Sequence, residues 1–215
     1  MTDAQIEALR RGAEAPVLAG SADLDAVADD LNEAFRTDPQ FCWFLRDDAG
    51  REAARLRFMK MLVKEVALPT GEVSRPPGGG AVSIWISSQA LGPNSLMQEL
   101  RMFPTILGAT GLGRIDRLAA MRKAMDALHP MDRPHAYLWF LGVRPEAQGL
   151  GVGSRMLKAG LAKVDAKGLP AYLESSSEAN VPLYRRHGFE VMQEFRARAD
   201  APPAWAMWRE PRAAV

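Results

Sequence analysis

Three alternating glycines near residue 150 are the strongest chemical signal in the sequence. After the apolar run 136–143, and just before a helical pattern, the chain reads Gln148-Gly149-Leu150-Gly151-Val152-Gly153-Ser154. Glycine adopts positive φ at little steric cost, so successive backbone N–H groups can converge on an oxyanion at the start of a helix. The segment therefore predicts a backbone site for phosphate groups. A turn that only packs a helix closely on a strand would use the same glycines, and the glycines alone leave both interpretations open.

Known phosphate-binding motifs fit this segment only in part. No Gly-Lys-Ser or Gly-Lys-Thr follows the glycines, and Ser154 stands where the dinucleotide fingerprint requires a third glycine. A second glycine segment, Gly108 to Gly113, resembles the opening of some dinucleotide-binding domains. We disfavour it, and with it a nucleotide-dependent oxidoreductase, because the apolar run before it is short and a strand there would interrupt a helical pattern.

The hydrophobic pattern alternates between helical and strand periods along the chain. Apolar residues spaced three and four apart predict amphipathic helices, and short apolar runs bounded by Gly or Pro predict strands. The predicted helices cover residues 21–35, 51–68, 95–128 with an interruption at 108–113, 154–167 and 180–187. The predicted strands cover residues 81–86, 136–143, 171–174, 189–198 and 204–209, with a hairpin turn at 75–80. Because no repeat or linker separates these elements, we predict one α/β domain over residues 1–215.

Composition argues against several classes of function. The 27 basic and 26 acidic residues leave a net charge of +1, which offers no global field for nucleic acid or an anionic membrane. The longest apolar run, 136–143, is too short to span a bilayer, and the N-terminus lacks the apolar core of a secretory signal. With one cysteine, Cys42, and three scattered histidines, we expect no disulfide, no metal and a cytoplasmic protein. Structural roles are expected for His129, which precedes a proline, and His187, which caps a helix.

A second motif lies downstream of the glycine segment, where the chain reads Asn180-Val181-Pro182-Leu183-Tyr184-Arg185-Arg186-His187-Gly188-Phe189. The glycine segment itself matches the pattern Gln/Arg-x-x-Gly-x-Gly/Ala. Together the two motifs resemble the GNAT superfamily of N-acetyltransferases. The resemblance covers residues 136–194 closely, and the layout is most similar to puromycin N-acetyltransferase and its relatives.

The resemblance implies both a fold and a donor site. The fold would be a mixed, mostly antiparallel sheet of six or seven strands, splayed in the middle, with helices on both faces. Residues 134–215 would bind acetyl-CoA, and the variable residues 1–133 would form the acceptor site. The implied cofactor-binding residues are Leu141, Gly142 and Val143 on a strand, Gln148, Gly149, Leu150, Gly151, Val152, Gly153 and Ser154 in the loop, and Asn180 and Tyr184 on a short helix.

Two side chains are the main candidates for acid–base catalysis. The resemblance places Tyr184 beside the sulfur of the cofactor, where a phenol with an ordinary pKa near 10 can protonate a departing thiolate. Alternatively, Tyr184 is an aromatic residue that anchors its helix. Glu174 ends a predicted strand next to the cofactor strand, so its carboxylate can take a proton from an amine or bind an ammonium. Alternatively, Glu174 faces solvent. His135 and Tyr137 are weaker candidates.

The activity implied by the resemblance is acetyl transfer from acetyl-CoA to a primary amine of a small molecule. We expect direct attack without an acetyl-enzyme, because Cys42 has no histidine near it in sequence. The alternative is a GNAT-like module that binds CoA without catalysis. The acceptor site is expected to include Trp43, Phe44, Trp85 and the Met-bearing helices of residues 95–128. The oligomeric state is left open, with a homodimer as one option.

Overall fold

A computed structural model describes residues 2–92 and 95–212, and a seven-stranded sheet lies at its centre. Its strands are β1 (Val17–Leu18), β2 (Gly71–Arg75), β3 (Ala81–Ser87), β4 (Ala136–Val143), β5 (Ala171–Ser175), β6 (Glu190–Phe195) and β7 (Ala204–Arg209). The order across the sheet is β1-β2-β3-β4-β5-β7-β6. All neighbours are antiparallel except β4 and β5, which are parallel. The predicted mixed, mostly antiparallel sheet is confirmed.

One helix precedes the first strand, and the others lie in the connections between strands. They are α1 (Asp3–Glu14), α2 (Leu24–Ala34), α3 (Pro39–Phe44), α4 (Arg51–Leu62), α5 (Leu68–Thr70), α6 (Leu96–Thr110), α7 (Ile115–Leu128), α8 (Val152–Ala166) and α9 (Val181–Arg186), with a π-helical turn at Val63–Ala67. Polar side chains satisfy the first N–H groups of several of them, as in the capping box of Thr2 and Gln5. Within residues 2–92 and 95–212, no helix is long and apolar enough to cross a membrane.

Different helices cover the two faces of the sheet, because successive side chains of a strand point to opposite faces. Ile84 and Ile86 of β3, with Phe140 of β4, pack into a core that α2, α4, α6 and α7 complete. We call this side the α2 face. Leu138 and Leu173 point to the opposite side, where they pack against α8 and α9. We call that side the α8 face.

The sheet opens between β4 and β5. Only two residue pairs join these strands, Ala136 with Ala171 and Tyr137 with Tyr172. Beyond them β5 remains paired with β7 and β4 remains paired with β3, so the inner edges of β4 and β5 diverge. The edge of β4 from residue 138 to residue 143 therefore borders a gap, which confirms the predicted splay.

Most predicted elements are confirmed, and the differences have local causes. The helix predicted from residue 21 begins at Leu24, because Ser21–Asp23 first forms a 3₁₀ turn. The helix predicted from residue 154 begins two residues earlier, at Val152, directly after Gly151. Residues 108–110 form the end of α6. The strand that a dinucleotide-binding turn requires does not precede them, so the oxidoreductase alternative is wrong.

The aromatic residues expected at the acceptor site do not lie together. Trp43 and Phe44 are buried in the core of the α2 face, with Met102 and Met121. Trp85 is buried on the α8 face, because its neighbours along β3 take the alternating positions on the α2 face. The expectation that Trp85 lines one pocket with Trp43 and Phe44 is therefore wrong. Ordinary core packing accounts for the two methionines.

Packing of Trp85 on α8 leads to a first prediction. The indole nitrogen of Trp85 lies so close to Gly160 of α8 that an added Cβ would overlap it. Because Trp85 is buried, Gly160→Ala should lower the free energy of unfolding by about 1–3 kcal/mol. As a matched control, Gly108→Ala places its Cβ in open space on α6 and should raise stability by about 0.5–1 kcal/mol. Urea denaturation measures both changes, and a stabilised Gly160→Ala protein would contradict this packing.

Candidate active site

The loop between β4 and α8 carries the glycine segment. Pro145–Ala147 forms a 3₁₀ turn, after which Gly149 and Gly151 adopt left-handed conformations with φ of 74° and 78°. Gly151 is the N-terminal cap of α8. Because glycine has no side chain, it leaves the N–H groups of the first turn, residues 152–154, without a capping oxygen. These N–H groups lie at the positive end of a 15-residue helix and can bind an anion.

Three side chains brace this loop through its carbonyl oxygens. Gln148 donates from Nε2 to the last carbonyl of β4 at 3.0 Å. Arg155 donates from Nη1 to the oxygen of Gly151 at 3.2 Å. Arg10 of α1 donates from Nε to the oxygen of Leu150 at 2.9 Å. Sequence analysis assigned no role to Arg10, because nothing in the pattern of α1 indicates a contact 140 residues away.

A hydroxyl and an imidazole tie the start of α8 to the end of α9. Ser154 Oγ and His187 Nε2 are 2.7 Å apart. Burial, followed by the positive charges of Arg186, Arg209 and Arg212, lowers the pKa of His187 below its ordinary value. The ring is therefore neutral near pH 7. Arg209 is neutralised by its ion pair with Asp165, so Arg186 and Arg212 are the two of these cations that add positive potential near His187, which favours binding of an anion.

The inner edge of β4 leads directly to the loop. Leu141 and Val143 are half-buried, and Gly142 is buried under α2, where an added Cβ would lie 3.0 Å from Ala34 Cβ. A side chain at position 142 would push α2 away from the sheet. The N–H and C=O groups of this edge that turn toward the gap can pair with an extended ligand, as an additional strand would.

The two residues of the second motif differ in exposure. Asn180 is exposed and forms the N-terminal cap of α9. Tyr184, one turn later, is buried on the α8 face, where its ring lies 6.0 Å from that of Phe189. Burial, and then the negative charge of Asp38, raises the pKa of Tyr184. Its hydroxyl is therefore protonated at neutral pH and well above it.

Asp38 is a half-buried residue whose carboxylate sequence analysis missed. It caps α3 by accepting hydrogen bonds from the N–H groups of Gln40 and Phe41 at 2.9 and 3.0 Å, and the hydroxyl of Ser176 donates to it. Burial raises the pKa of Asp38 despite these bonds. The Asp38-Pro39 dipeptide signals a helix start. Nothing in the sequence indicates that this cap lies beside Tyr184.

Glu174 lies in a buried polar cluster on the α2 face, and its side chain is only 5% exposed. The interpretation that Glu174 faces solvent is therefore wrong. His129 Nδ1 is 3.9 Å from Glu174 Oε1, so the histidine predicted to be merely structural stands beside this carboxylate. Burial, and then the charge of Glu174, raises the pKa of Tyr137 and of Tyr172. His135 completes the cluster, with its Nε2 2.9 Å from the Nε2 of His129.

Other groups with potential chemistry lie apart from this region. Cys42 is half-buried, and its Sγ is 3.8 Å from the carbonyl oxygen of Arg36. Among residues 2–92 and 95–212, no group of three or more His, Cys, Asp or Glu side chains is arranged to hold a metal ion. The candidate site therefore consists of the loop, the edge of β4, Tyr184 and the Glu174 cluster.

Comparison with known proteins agrees with this geometry. The model of the acetyltransferase (GNAT) family matches residues 104–189, which contain β4, the loop, α8, β5 and Tyr184. A histone acetyltransferase and related acetyltransferase from Corynebacterium glutamicum superposes over 93% of this chain and 97% of its own, with 26% identity and a TM-score of 0.68. Over residues 104–189, which are 86 of its 215 residues, the chain is therefore similar to the GNAT family. The resemblance in the motifs is confirmed, whereas the likeness to puromycin N-acetyltransferase stays a prediction.

Mycothiol acetyltransferases are similar to part of this chain. The enzyme from Paenarthrobacter aurescens is 40% identical over 68 residues, which are 29% of this chain and 21% of the relative. The enzyme from Propionibacterium freudenreichii is 37% identical over 75 residues, which are 34% of this chain and 24% of the relative. The chain thus matches less than a quarter of the length of these relatives.

Structural similarity extends to GNAT proteins of very different sequence. Arylalkylamine N-acetyltransferase 2 from Aedes aegypti has a TM-score of 0.61 at 11% identity and covers 92% of this chain and 98% of its own. A polyamine N-acetyltransferase from Drosophila melanogaster has a TM-score of 0.59 at 14% identity and covers 91% of this chain and 98% of its own. At these identities the similarity concerns the fold alone.

The environment of His187 leads to a second prediction. The pKa of His187 is lowered in the folded protein, so the unfolded chain binds more protons as the pH falls below about 6.5. Stability should therefore decrease from about pH 7.5 to about pH 5.5. His187→Gln retains a partner for Ser154 but removes the titration, and should weaken this decrease. Urea unfolding at both pH values tests it, and an unchanged decrease in the variant would contradict the burial of a neutral His187. His135, whose pKa is also lowered, accounts for a residual decrease.

Proposed function

We propose that this protein is an acetyl-CoA-dependent N-acetyltransferase that acts on a primary amine of a small molecule. The observation that carries the proposal is the continuity of one binding path. The open edge of β4 leads into two left-handed glycines, Gly149 and Gly151, and these lead into the first turn of α8. Acetyl-CoA has a pyrophosphate next to an extended, amide-containing arm, and this chemistry matches the path.

The loop would hold the pyrophosphate of acetyl-CoA. The backbone N–H groups of residues 149–154 supply donors, and the space in front of Gly149 is open, with no atom within 4 Å of an added Cβ. The Ser154 hydroxyl is held in place by His187. Arg186 and Arg212 add positive charge nearby. These features support phosphate binding that depends mainly on the backbone, with side-chain cations acting at longer range.

The extended arm of the donor would pair with Leu141, Gly142 and Val143 and pass Asn180. Its thioester would then lie in the gap between β4 and β5. The amine attacks the thioester carbonyl, a C–N bond forms, and the C–S bond breaks to release a thiolate. Tyr184, which burial keeps protonated, would donate the proton that this thiolate accepts.

Glu174 would receive the proton that the amine loses. It lies on the face of the sheet opposite Tyr184, because Glu174 and Tyr172 of β5 share the α2 face whereas Tyr184 packs on the α8 face. Acceptor and leaving thiol would therefore occupy opposite sides of the gap. This arrangement supports direct attack, and Cys42 has no part in it.

A small-molecule amine is the acceptor class that we favour. The Drosophila neighbour is a polyamine acetyltransferase that forms N-acetylagmatine, and the Aedes neighbour is an arylalkylamine acetyltransferase. Trp139 of β4 is half-buried on the α2 face, close to the start of the gap, and packs with Tyr137 and Tyr172, which share this face with Glu174. An apolar surface beside a carboxylate suits an amine with an apolar body.

Donor binding is tested by a matched pair of glycine variants. Gly149 and Gly168 both have left-handed conformations and open space for a Cβ, but only Gly149 lies in the loop. Both Gly149→Ala and Gly168→Ala should lose about 1–2 kcal/mol of stability from strain. Only Gly149→Ala should also lose CoA affinity, by about tenfold or more. Calorimetry with CoA, and with NADP as a control ligand, measures this difference. Equal CoA affinity in all three proteins would rule out the loop as the phosphate site.

Catalysis is tested by thiol release from acetyl-CoA with a panel of polyamines, arylalkylamines, amine antibiotics and peptide N-termini. We expect amine-dependent release with at least one small-molecule amine. Tyr184→Phe keeps the ring and removes the hydroxyl, so it should lower kcat by roughly 10- to 1000-fold and leave the Kd of CoA nearly unchanged.

Two results would change the proposal. Tight CoA binding without release from any acceptor would favour the non-catalytic CoA-binding module. A Tyr184→Phe enzyme with wild-type single-turnover rates would remove Tyr184 from the mechanism and leave water as the proton source.

A further inference from the structure

Two histidines complete the surroundings of Glu174. His129 follows the C-terminus of α7, and His135 immediately precedes β4. Their Nε2 atoms are 2.9 Å apart, and His129 Nδ1 faces Glu174 Oε1 at 3.9 Å. The rings of Tyr137 and Tyr172 pack edge-on against the His129 ring, with centroids 4.8 and 4.7 Å away. The His129 ring is thereby held between the carboxylate and the second imidazole.

Hydrogen bonding determines where the protons lie on the two rings. His135 Nδ1 is 2.8 Å from the carbonyl oxygen of Arg133, which can only accept, so this nitrogen carries a proton. Burial lowers the pKa of His135, so the ring is neutral and its Nε2 is an acceptor. The proton shared between the rings must then belong to His129 Nε2. His129 Nδ1, the atom that faces Glu174, is left with a free lone pair unless it gains a second proton.

The gap between Glu174 and His129 therefore has room for one further proton. A carboxylate and an imidazole lone pair repel each other, whereas one added proton on either group turns this repulsion into attraction. Glu174 Oε1 is buried, and within residues 2–92 and 95–212 no donor meets it with full hydrogen-bond geometry, although the hydroxyls of Tyr137 and Tyr172 are directed toward the carboxylate. Both side chains are less than one-tenth exposed, so water contributes little at this position.

Resting on the proposed function, we propose that Glu174 and His129 together accept the proton of the incoming ammonium, and that His135 is the positioning residue that fixes the His129 tautomer. The ammonium would bind to Glu174 and pass one proton through it to His129 Nδ1. The neutral amine then forms the C–N bond while the thiolate leaves. The result is an imidazolium paired with a carboxylate. The proton returns to solvent after the product departs.

Few other titratable groups act on this pair. Tyr137 and Tyr172 face Glu174 from β4 and β5 and can donate hydrogen bonds to it, and burial raises their pKa, so both stay neutral in the working range. Asp126 acts on Tyr137, and Asp132 acts on His135, and both lie on the exposed surface. The guanidinium of Arg133 forms an ion pair with Glu210. The added proton is therefore exchanged between Glu174 and His129.

The test is the pH dependence of single-turnover acetyl transfer, with the best amine from the panel, in the wild type, Glu174→Gln and His129→Gln. Removing either group should lower the single-turnover rate by about 100-fold near pH 7. The deficit should shrink to less than about tenfold near pH 9.5, because the amine in solution is then increasingly neutral. The Kd of CoA should stay within about twofold of wild type. A purely structural role would reduce the rate by one factor at all pH values, and that result would overturn the proposal.

A second measurement applies even if a variant folds poorly. ¹⁵N NMR of the histidine rings in the wild-type protein at about pH 8 should show His135 protonated at Nδ1 and His129 protonated at Nε2. The opposite tautomer on either ring would overturn the relay. The two hypotheses remain distinguishable, because a wild-type protein that acetylates no amine contradicts the proposed function. An active wild type with parallel pH profiles in the variants contradicts only the relay.

Discussion

Two residue pairs hold β4 and β5 together, and the proposed acetyl transfer depends on the pairing ending at Tyr137 and Tyr172. Because β4 stays paired with β3 and β5 stays paired with β7, neither strand can rotate to hydrogen-bond the backbone groups of the other along the gap. The extra residue Trp139, at the register shift between β3 and β4, supports the divergence by increasing the local bend of β4. Backbone groups along the gap need partners. An extended ligand is the partner that the geometry suits best.

The two faces of the sheet also keep the carboxylate of Glu174 apart from the hydroxyl of Tyr184. Glu174 and the histidines lie on the α2 face, whereas Tyr184 packs on the α8 face together with Leu173, the residue that precedes Glu174 on β5. Asp38 lies near Tyr184, where burial raises the pKa of both groups. Burying so many ionisable groups is costly unless each has a partner. Oε1 of Glu174, which no donor among the described residues meets with full hydrogen-bond geometry, is therefore the group most easily explained by function.

Support for the glycine loop comes from outside the segment that matches the family. The family match covers residues 104–189, yet Arg10 of α1 donates to the loop at Leu150 and Glu14 pairs with Arg155. Arg155 in turn holds the oxygen of Gly151. Helix α1 thereby links the N-terminal residues to the loop that we propose as the phosphate site. Changes in α1 would act on the proposed donor binding through the shape of the loop.

The sequence alone determined the elements that have local causes. Apolar periodicity located β4, α8 and β7 because burial of one face is a local requirement, and the glycines at 149 and 151 marked left-handed turns because other residues resist that conformation. The motif at Asn180 and Tyr184 carried the resemblance to the GNAT family, because its residues are also close together in the sequence. Tertiary structure alone decided which side chains meet. Nothing near Trp85 in sequence shows which face of the sheet it takes, and nothing near Asp38 or His129 shows that Tyr184 or Glu174 lies beside them. Those contacts join residues far apart in the chain, and only the packing of helices on both sides of a splayed sheet brings them together.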